Sequence, residues 1–433
     1  MGTASTTERI REIGADIESE VIALRRELHK HPELSGKETR TQEALCIELG
    51  KLGVEYRRAA GTGVIATIRG EAKGAYSADG NPAKRVALRA DIDALPVTEQ
   101  TGAPYASQSE GIMHACGHDC HMAMMLGAVR ILNGLRDRLC GEVRVLFQPA
   151  EEISIGALKM IEDGALDGVD AIYGAHIWSE VDAGKISCEP GQRMAHTDWF
   201  RIDIEGVSAH GSMPHKGVDA VVVGAEMVTA LQILVSRDVS PFEPVVVTVG
   251  EFHGGEARNI MAGTAYLTGT VRTWSDKLRA EVPDRLERIV GKIARAFNAE
   301  ARFTFEPGNA GLANDVQCAE AARRAVVEVL GKKPSAVTRV RFPAKTSAST
   351  CVWFPESWRS WVRAILLWAP SIPSTVATMK WTKACWSRDP WWLLSGRSTC
   401  WEKGRSRALH YLARQEDERS GRYVRMARAA GVR

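Results

Sequence analysis

The chain has 433 residues, of which 45% are apolar and 25% are charged, and its formal net charge is +3. This balance is typical of a soluble globular protein, and the low charge gives no basic field that would favour nucleic acid or an anionic membrane. No run approaches the roughly 18 consecutive apolar residues of a membrane span, and the amino terminus lacks a signal-like apolar core. The nine cysteines are an odd number without framework spacing, so we expect a reducing, cytoplasmic setting.

The first half of the chain alternates helices with strands. Short, branched and apolar runs predict strands, and runs with helical spacing predict helices. In chain order these patterns predict helix over 7–53, strands at 64–70 and 85–96, a helix at 119–139, a strand at 141–152, a helix at 157–168 and a strand at 169–178. Such alternation predicts an α/β domain with a mostly parallel sheet, in which ligands bind beyond the carboxyl ends of the strands.

The pattern changes near residue 196, where a half-exposed strand begins. A strand–helix–strand–strand–helix–strand unit follows, which predicts a compact α+β domain inserted into the first one. The predicted domains are therefore 1–195 for the first part of the α/β domain, 196–307 for the insertion and 308–433 for the second part, with atypical sequence from about residue 340.

The stretch MHACGHDCHM, residues 113–122, is dense in side chains that bind metals. Cys116 and His118 are two positions apart, so in an extended segment both side chains fall on the same side. A thiolate with an imidazole suits zinc or a similar borderline metal, although the same pair also occurs in buried packing. Cys116 and His118 are therefore candidate ligands, with buried packing as the alternative. The neighbouring residues expected to shape the loop and begin the next helix are His114, Asp119, Cys120 and His121.

Two adjacent carboxylates, Glu151 and Glu152, follow the apolar strand that ends in FQPA. Many such pairs are simply solvated, but here they emerge from a buried strand, where two like charges repel and lose solvent. A metal would neutralise one and leave the other to act as a general base. His176 ends the next strand, and Asp91 ends an earlier one. Polar groups at several strand ends together favour a site over incidental packing.

The motifs LRADIDALP, MHACGHD, FQPAEE, GAHIW, SAHGSMPH, GGEARNIM and GTVR occur in this order over roughly residues 15–330. As a set they resemble the two-metal amidohydrolase and peptidase family of hippurate hydrolases, N-acyl amino acid aminoacylases and auxin–amino-acid conjugate hydrolases. The resemblance implies a metallo-hydrolase catalytic domain whose inserted domain is a lid that commonly mediates dimerisation. A homodimer or higher homo-oligomer is therefore expected.

The resemblance also implies roles for individual residues. It implies metal ligands at Cys116, His118, Glu152 and His176, for up to two divalent ions that would be zinc, manganese or nickel. It implies that Glu151 is the general base, which deprotonates a metal-activated water and passes the proton to the leaving amine. The expected substrate is an N-acyl amino acid.

Four further roles follow from the same resemblance. Asp91 is expected to support a metal-binding histidine, and a turn or helix-capping role is the alternative. His210, in the lid, is expected to stabilise the oxyanion, while Asn259 and Arg272 are expected to hold the substrate carboxylate. Two alternatives stay open, a dipeptidase of the same architecture and an inactive binding or scaffold homologue.

The last hundred residues depart from the family pattern. Nine of the twelve tryptophans lie between Trp353 and Trp401, and the one histidine after His253 is His410. The family has a further histidine ligand there, preceded by a Gly-Glu-Asp-Phe-like segment. With suitable synonymous codons, one shifted frame yields Gly-Glu-Asp-Phe from residues 343–348 and Pro-Gln-His-Ser-Gly-Asp from residues 372–379. We therefore predict a frame shift near residue 340 and weak or no activity in the chain as written.

Overall fold

The computed structural model describes residues 5–330 except 180, 182–183 and 185. The described residues lie within one compact unit, but they form two main sheets, each with its own hydrophobic core. The elements around the first sheet are α1 (Thr6–Lys30), α2 (Thr39–Lys51), β1 (Glu55–Ala59), β2 (Gly63–Arg69), β3 (Arg85–Asp91), α3 (His118–Asn133), β4 (Glu142–Gln148), α4 (Gly156–Glu162) and β5 (Ala171–Gly174). Then come β6 (Gly191–Met194), β7 (His196–Glu205), β8 (Ala209–His210), α5 (Ala220–Ile233), β9 (Val245–Gly254), β10 (Ile260–Met261), β11 (Thr264–Thr273), α6 (Asp276–Ala296), β12 (Glu300–Pro307), β13 (Leu312–Asn314) and α7 (Val316–Leu330).

The first sheet has the strand order β1-β2-β4-β3-β5. β3 runs parallel to both β4 and β5, whereas β1 with β2 and β2 with β4 are antiparallel. The sheet is therefore mixed, where a mostly parallel one was expected. For β1 and β2 the reason is local: β1 turns back into β2 through Gly61, whose φ is +79°, and such a short hairpin joins only antiparallel strands. The three parallel strands are those that carry the predicted site residues.

Helices cover the first sheet and close its core. α1 begins with a capping box, in which the Ser5 hydroxyl accepts from the Glu8 amide and Glu8 accepts from the Ser5 amide, which satisfies helix donors that otherwise lack partners. α3 packs against α1 and β3 and is buried on most sides, as its apolar sequence predicts. α7 contributes Ala322, Ala325 and Val326 to the same core, so the chain returns to this core after the second sheet.

The second sheet forms the lid, the name used below for residues 196–307. Its four antiparallel strands have the order β12-β7-β11-β9, and α5 and α6 pack on one face through residues such as Met227 and Leu286. The strand–helix–strand–strand–helix–strand order predicted from the sequence is confirmed. β7 begins at His196 and β12 ends at Pro307, at the predicted domain limits. The domain division itself stays a prediction, and its part beyond residue 330 lies outside the described residues.

One apolar helical stretch has the length of a membrane span, but Glu226 and Gln232 interrupt it, so it is not a run of consecutive apolar residues. Among the described residues, Ala220–Asp238 has a mean hydropathy of 1.5 over a window of that length, and 33% of the window is buried. It comprises α5 and the turn after it. One side packs on the lid sheet, and Val221, Val222 and Ile233 lie on its exposed side.

Candidate metal centre

The ends of three parallel strands bring the predicted site residues to one edge of the first sheet. Asp91 is the last residue of β3, while Glu151 and Glu152 follow β4 and His176 follows β5. β3 lies between β4 and β5. Because parallel strands point the same way, their carboxyl ends form one rim, where ligands of such sheets commonly bind.

A glycine turn places Cys116 and His118 beside that rim. Gly117 begins α3 with φ of +89°, and a side chain there would meet Ile177 Cδ1 at 2.2 Å. Glycine is therefore needed both for the left-handed backbone and for the close approach to the residue after His176. The turn sets Cys116 Sγ at 3.3 Å from His176 Nε2. The sequence predicted this pair as ligands, and the structure brings their side chains into contact.

His118 lies at the centre of the cluster. Its Nε2 is 3.4 Å from Asp91 Oδ2, 3.9 Å from Glu151 Oε2 and 3.7 Å from Glu152 Oε1. Three groups could each hold an ion, with ligand atoms within 4.8 Å of one another, and all three share His118. These groups are Cys116 with His118 and His176, Asp91 with His118 and His121, and His118 with Glu151 and Glu152.

The electrostatics of the cluster favour a cation. Burial alone would lower the pKa of His118, but the Asp91 charge and the Asp93 hydrogen bond hold this pKa well above its ordinary value. Burial alone would raise the pKa of Asp91, yet the charges of His118 and Arg89 hold it well below its usual range. The carboxylates thus stabilise positive charge at the His118 ring. A metal ion would supply that charge and displace the proton.

The donor set also fits a metal. His118 Nε2 is buried and makes no hydrogen bond within the described part of the chain, while its Nδ1 is held by the Asp93 backbone oxygen at 2.9 Å. A ring fixed through one nitrogen, with the other aimed at carboxylates and near a thiol, is the usual arrangement of a histidine ligand. Imidazole, thiolate and carboxylate together suit zinc, manganese or nickel.

Asp93 is a functional residue that the sequence reasoning missed. Its carboxylate contacts His118 Nδ1 at 3.2 Å through Oδ1 and accepts from the Glu152 amide at 3.0 Å through Oδ2. One side chain therefore orients two predicted ligands. Asp91, which was expected to support a ligand histidine, instead lies on the Nε2 side of His118. The available signal was that Asp93, two residues after Asp91 in an extended segment, points to the same side.

His121 was expected only to begin the helix, but it belongs to the cluster. Its Nε2 accepts from the Ile177 amide at 2.9 Å, so its Nδ1 carries the proton that contacts Asp91 Oδ1 at 2.6 Å. Burial lowers the pKa of His121, which favours this neutral form. Both nitrogens are therefore engaged, and the ring links the strand-end carboxylate to the segment that follows His176.

The three predicted lid residues bond to other lid residues, in the described part of the chain, and not to the strand-end cluster. His210 is exposed in β8, pairs with Ile260 and accepts from the Ser212 amide at 3.1 Å. The Asn259 carbonyl accepts from Gly211 at 2.9 Å, so Asn259 and His210 are close neighbours. Arg272, in β11, donates to the Val271 carbonyl, and burial lowers its pKa. In the described part of the chain, the side-chain hydrogen bonds of His210 and Arg272 stay within the lid.

Family comparison decides what kind of protein carries this cluster. A family model, Peptidase family M20/M25/M40, matches residues 87–354, well over half of the chain. The chain belongs to peptidase family M20/M25/M40. The match includes the rim residues, Gly117 and the whole lid.

Relatives of known name agree with this assignment. An N-acyl-L-amino acid amidohydrolase of Geobacillus stearothermophilus is 44% identical over 305 residues, or 70% of this chain and 80% of that protein. An N-acetyl-L-cysteine deacetylase of Bacillus subtilis is 42% identical over 324 residues, or 74% of this chain and 76% of that protein. Among solved structures, a dinuclear metal binding peptidase from the M20 family of Bacillus subtilis has a TM-score of 0.68 and 31% identity, covering 82% of this chain and 97% of that one.

Proposed function

We propose that this M20-family chain is a metal-dependent amidohydrolase that cleaves the amide bond of N-acyl amino acids, as in hippurate hydrolases and aminoacylases. The observation that supports this most is the meeting of His118 with Glu151, Glu152 and the Cys116–His176 pair at one rim. The names of two relatives, an amidohydrolase and a deacetylase of acylated amino acids, support the substrate class.

Cys116, His118, Glu152 and His176 would hold up to two divalent ions. When bound, such ions polarise an amide carbonyl and lower the pKa of a nearby water. Glu151 is the proposed base: it takes the proton of the attacking water and delivers it to the nitrogen of the leaving amino acid. Glu151 is only 3% exposed, so it would act in a largely dry environment where charge interactions are strong.

The lid would supply the remaining contacts. His210 is proposed to stabilise the oxyanion, and Asn259 and Arg272 to bind the substrate carboxylate. His210 is exposed, which would let it reach a substrate after lid movement or in a second copy of the chain. Zinc, manganese or nickel as the metal, a cytoplasmic setting and a homo-oligomer all belong to this proposal.

The test is a comparison of Glu151→Gln with Glu152→Gln in hydrolysis of N-acetyl and N-benzoyl amino acids. Glu151→Gln should lower kcat by about 100- to 10,000-fold and leave the metal content unchanged, because it removes the base alone. Glu152→Gln should weaken metal binding, because a proposed ligand is lost. A Glu151→Gln variant with parental kcat would contradict the role of Glu151.

The same assay separates the alternatives. Faster hydrolysis of dipeptides than of acyl amino acids would favour the dipeptidase, and metal binding without turnover would favour the inactive homologue. The predicted frame shift near residue 340 and the missing histidine lie outside the described residues. Gene sequencing across codons 335–345 tests that prediction.

A further inference from the structure

We propose that Glu38 is a positioning residue for Glu151, holding the turn from which the general base projects. This inference rests on the proposed role of Glu151. Glu38 lies just before α2, far from the metal-binding motifs in sequence, and its residue is 0% exposed. A fully buried carboxylate is costly unless hydrogen bonds compensate it, so its partners indicate what it is for.

Both carboxylate oxygens of Glu38 are engaged. Oε1 accepts from the backbone amide of Ala150 at 2.8 Å, and Oε2 accepts from the Thr62 hydroxyl at 2.5 Å. Thr62 lies in the hairpin between β1 and β2. β1 is the edge strand of the first sheet, and β2 pairs with β4. The Glu38 side chain therefore joins α2 and this hairpin to the residue immediately before Glu151.

The backbone at Ala150 needs such support. Its φ is +51°, in the left-handed region that residues other than glycine avoid. The Ala150 carbonyl accepts from the Gly156 amide at 3.2 Å, and a side chain at Gly156 would stand 1.5 Å from the Pro149 oxygen. The turn is thus tightly folded on itself, and a strained conformation of this kind persists only where its surroundings hold it.

Two buried carboxylates fix the backbone on either side of Glu151. Glu38 accepts the amide of Ala150, and Asp93 accepts the amide of Glu152 at 3.0 Å. The Glu151 carbonyl accepts from Ser154 at 2.8 Å. Asp93 also contacts His118, so its loss would disturb the metal ligands as well. The Glu38 carboxylate bonds to Ala150 and Thr62. A substitution of Glu38 should therefore change the direction in which the Glu151 side chain points.

The experiment compares Glu38→Ala, Glu38→Gln and the exposed control Glu43→Ala, which lies on α2. Glu38→Ala should lower kcat by about 10- to 100-fold, because small misplacements of catalytic groups have effects of that size. KM should change by less than about twofold, and metal content should stay parental. Glu38→Gln keeps an oxygen acceptor for the Ala150 amide and should restore most of kcat, while Glu43→Ala should match the parent.

Amide hydrogen exchange gives a readout that needs no turnover. Peptides spanning residues 149–156 should exchange faster in Glu38→Ala than in the parent and Glu38→Gln. Equal exchange in all three, parental kcat in Glu38→Ala, or equal loss of kcat in Glu38→Gln and Glu38→Ala would each overturn the inference. If Glu38→Ala fails to fold, Glu38→Asp takes its place, because the shorter side chain moves the carboxylate away from the Ala150 amide. Parental kcat and parental amide exchange in Glu38→Asp would also overturn the inference.

Glu151→Gln, measured in parallel, separates this inference from the proposed function. Parental kcat in Glu151→Gln would contradict the role of Glu151 as the base. The proposed function would then fail, and Glu38 would have no base to position. Loss of kcat in Glu151→Gln together with parental kcat in Glu38→Ala would contradict the positioning role alone.

Discussion

His114 is a buried residue close to the turn at Gly117, and its pKa differs from the ordinary value of histidine. It is 1% exposed, and neither ring nitrogen has a hydrogen-bond partner in the part of the chain that the structure describes. Burial lowers its pKa to about 4. The folded protein therefore holds this ring neutral, and the unfolded chain binds its proton more readily.

The sign of the pH effect follows from that difference. The unfolded pKa is about 6.5, so the stability contributed by neutral His114 is present above pH 6.5 and is lost as pH falls toward 4, by up to about 3 kcal/mol. His114→Leu cannot bind the proton and should lose less stability over this window than the parent. Denaturant unfolding of metal-free protein near both limits measures this. The exposed His215→Ala is the control, and equal acid losses in His114→Leu and the parent would contradict the prediction.

At the scale of elements, the turn between β4 and α4 determines where the two glutamates point. It includes two residues other than glycine with positive φ, Ala150 and Ser154, and it depends on the missing side chain of Gly156. The side-chain amide nitrogen Nδ2 of Asn309, just after β12, donates to the Ser154 hydroxyl at 2.7 Å. The same turn is therefore held from the core by Glu38 and from the lid boundary by Asn309.

Gly156→Ala should destabilise the protein by about 1 to 3 kcal/mol and lower kcat. The reason is that the new methyl group would overlap the Pro149 carbonyl, a backbone atom that cannot rotate away. Gly50→Ala is the matched control: Gly50 lies in α2 with open space around it, so alanine there should stabilise by up to about 1 kcal/mol. Thermal unfolding of both variants checks the pair. Equal effects would show that the close approach at Gly156 does not matter.

At the scale of the whole molecule, a homo-oligomer through the lid stays a prediction, and the lid has a candidate surface for it. β9 is the outer strand of the lid sheet, α5 packs beside it, and α5 exposes Val221, Val222 and Ile233. An unpaired strand edge next to exposed apolar side chains is a common interaction site. The family resemblance supplies the expected occupant, another lid.

Ile233→Lys should therefore shift the protein toward monomer, because a charge would enter the proposed interface. Ile47→Lys is the control, since Ile47 is also 50% exposed but lies on α2, away from the lid. Light scattering after gel filtration measures the mass of each variant and of the parent. A monomeric parent, or equal masses in all three, would contradict a dimer through this surface.

The sequence by itself determined the alternation of helices and strands, the order of the lid elements, and the candidates Cys116, His118, Glu151, Glu152 and His176. These depend on short-range periodicity and on motifs a few residues long. The structure confirms most of the predicted elements, but it divides the predicted helix over 7–53 into α1 and α2 and adds β1, which was not predicted. It places those five side chains together. Their roles stay predictions, as do those of His210, Asn259 and Arg272.

Only the tertiary structure decided which residues hold the site in place. Glu38 reaches Ala150 across 112 positions, and Asp93 and His121 engage the cluster from separate elements. The two antiparallel pairs in the first sheet, β1 with β2 and β2 with β4, also became visible only in the fold. The spacing of Asp93 from Asp91 indicates the side on which Asp93 lies, but no local pattern encodes the partners of these residues. A buried hydrogen bond between distant segments depends on how packed elements approach each other, and sequence periodicity does not record that approach.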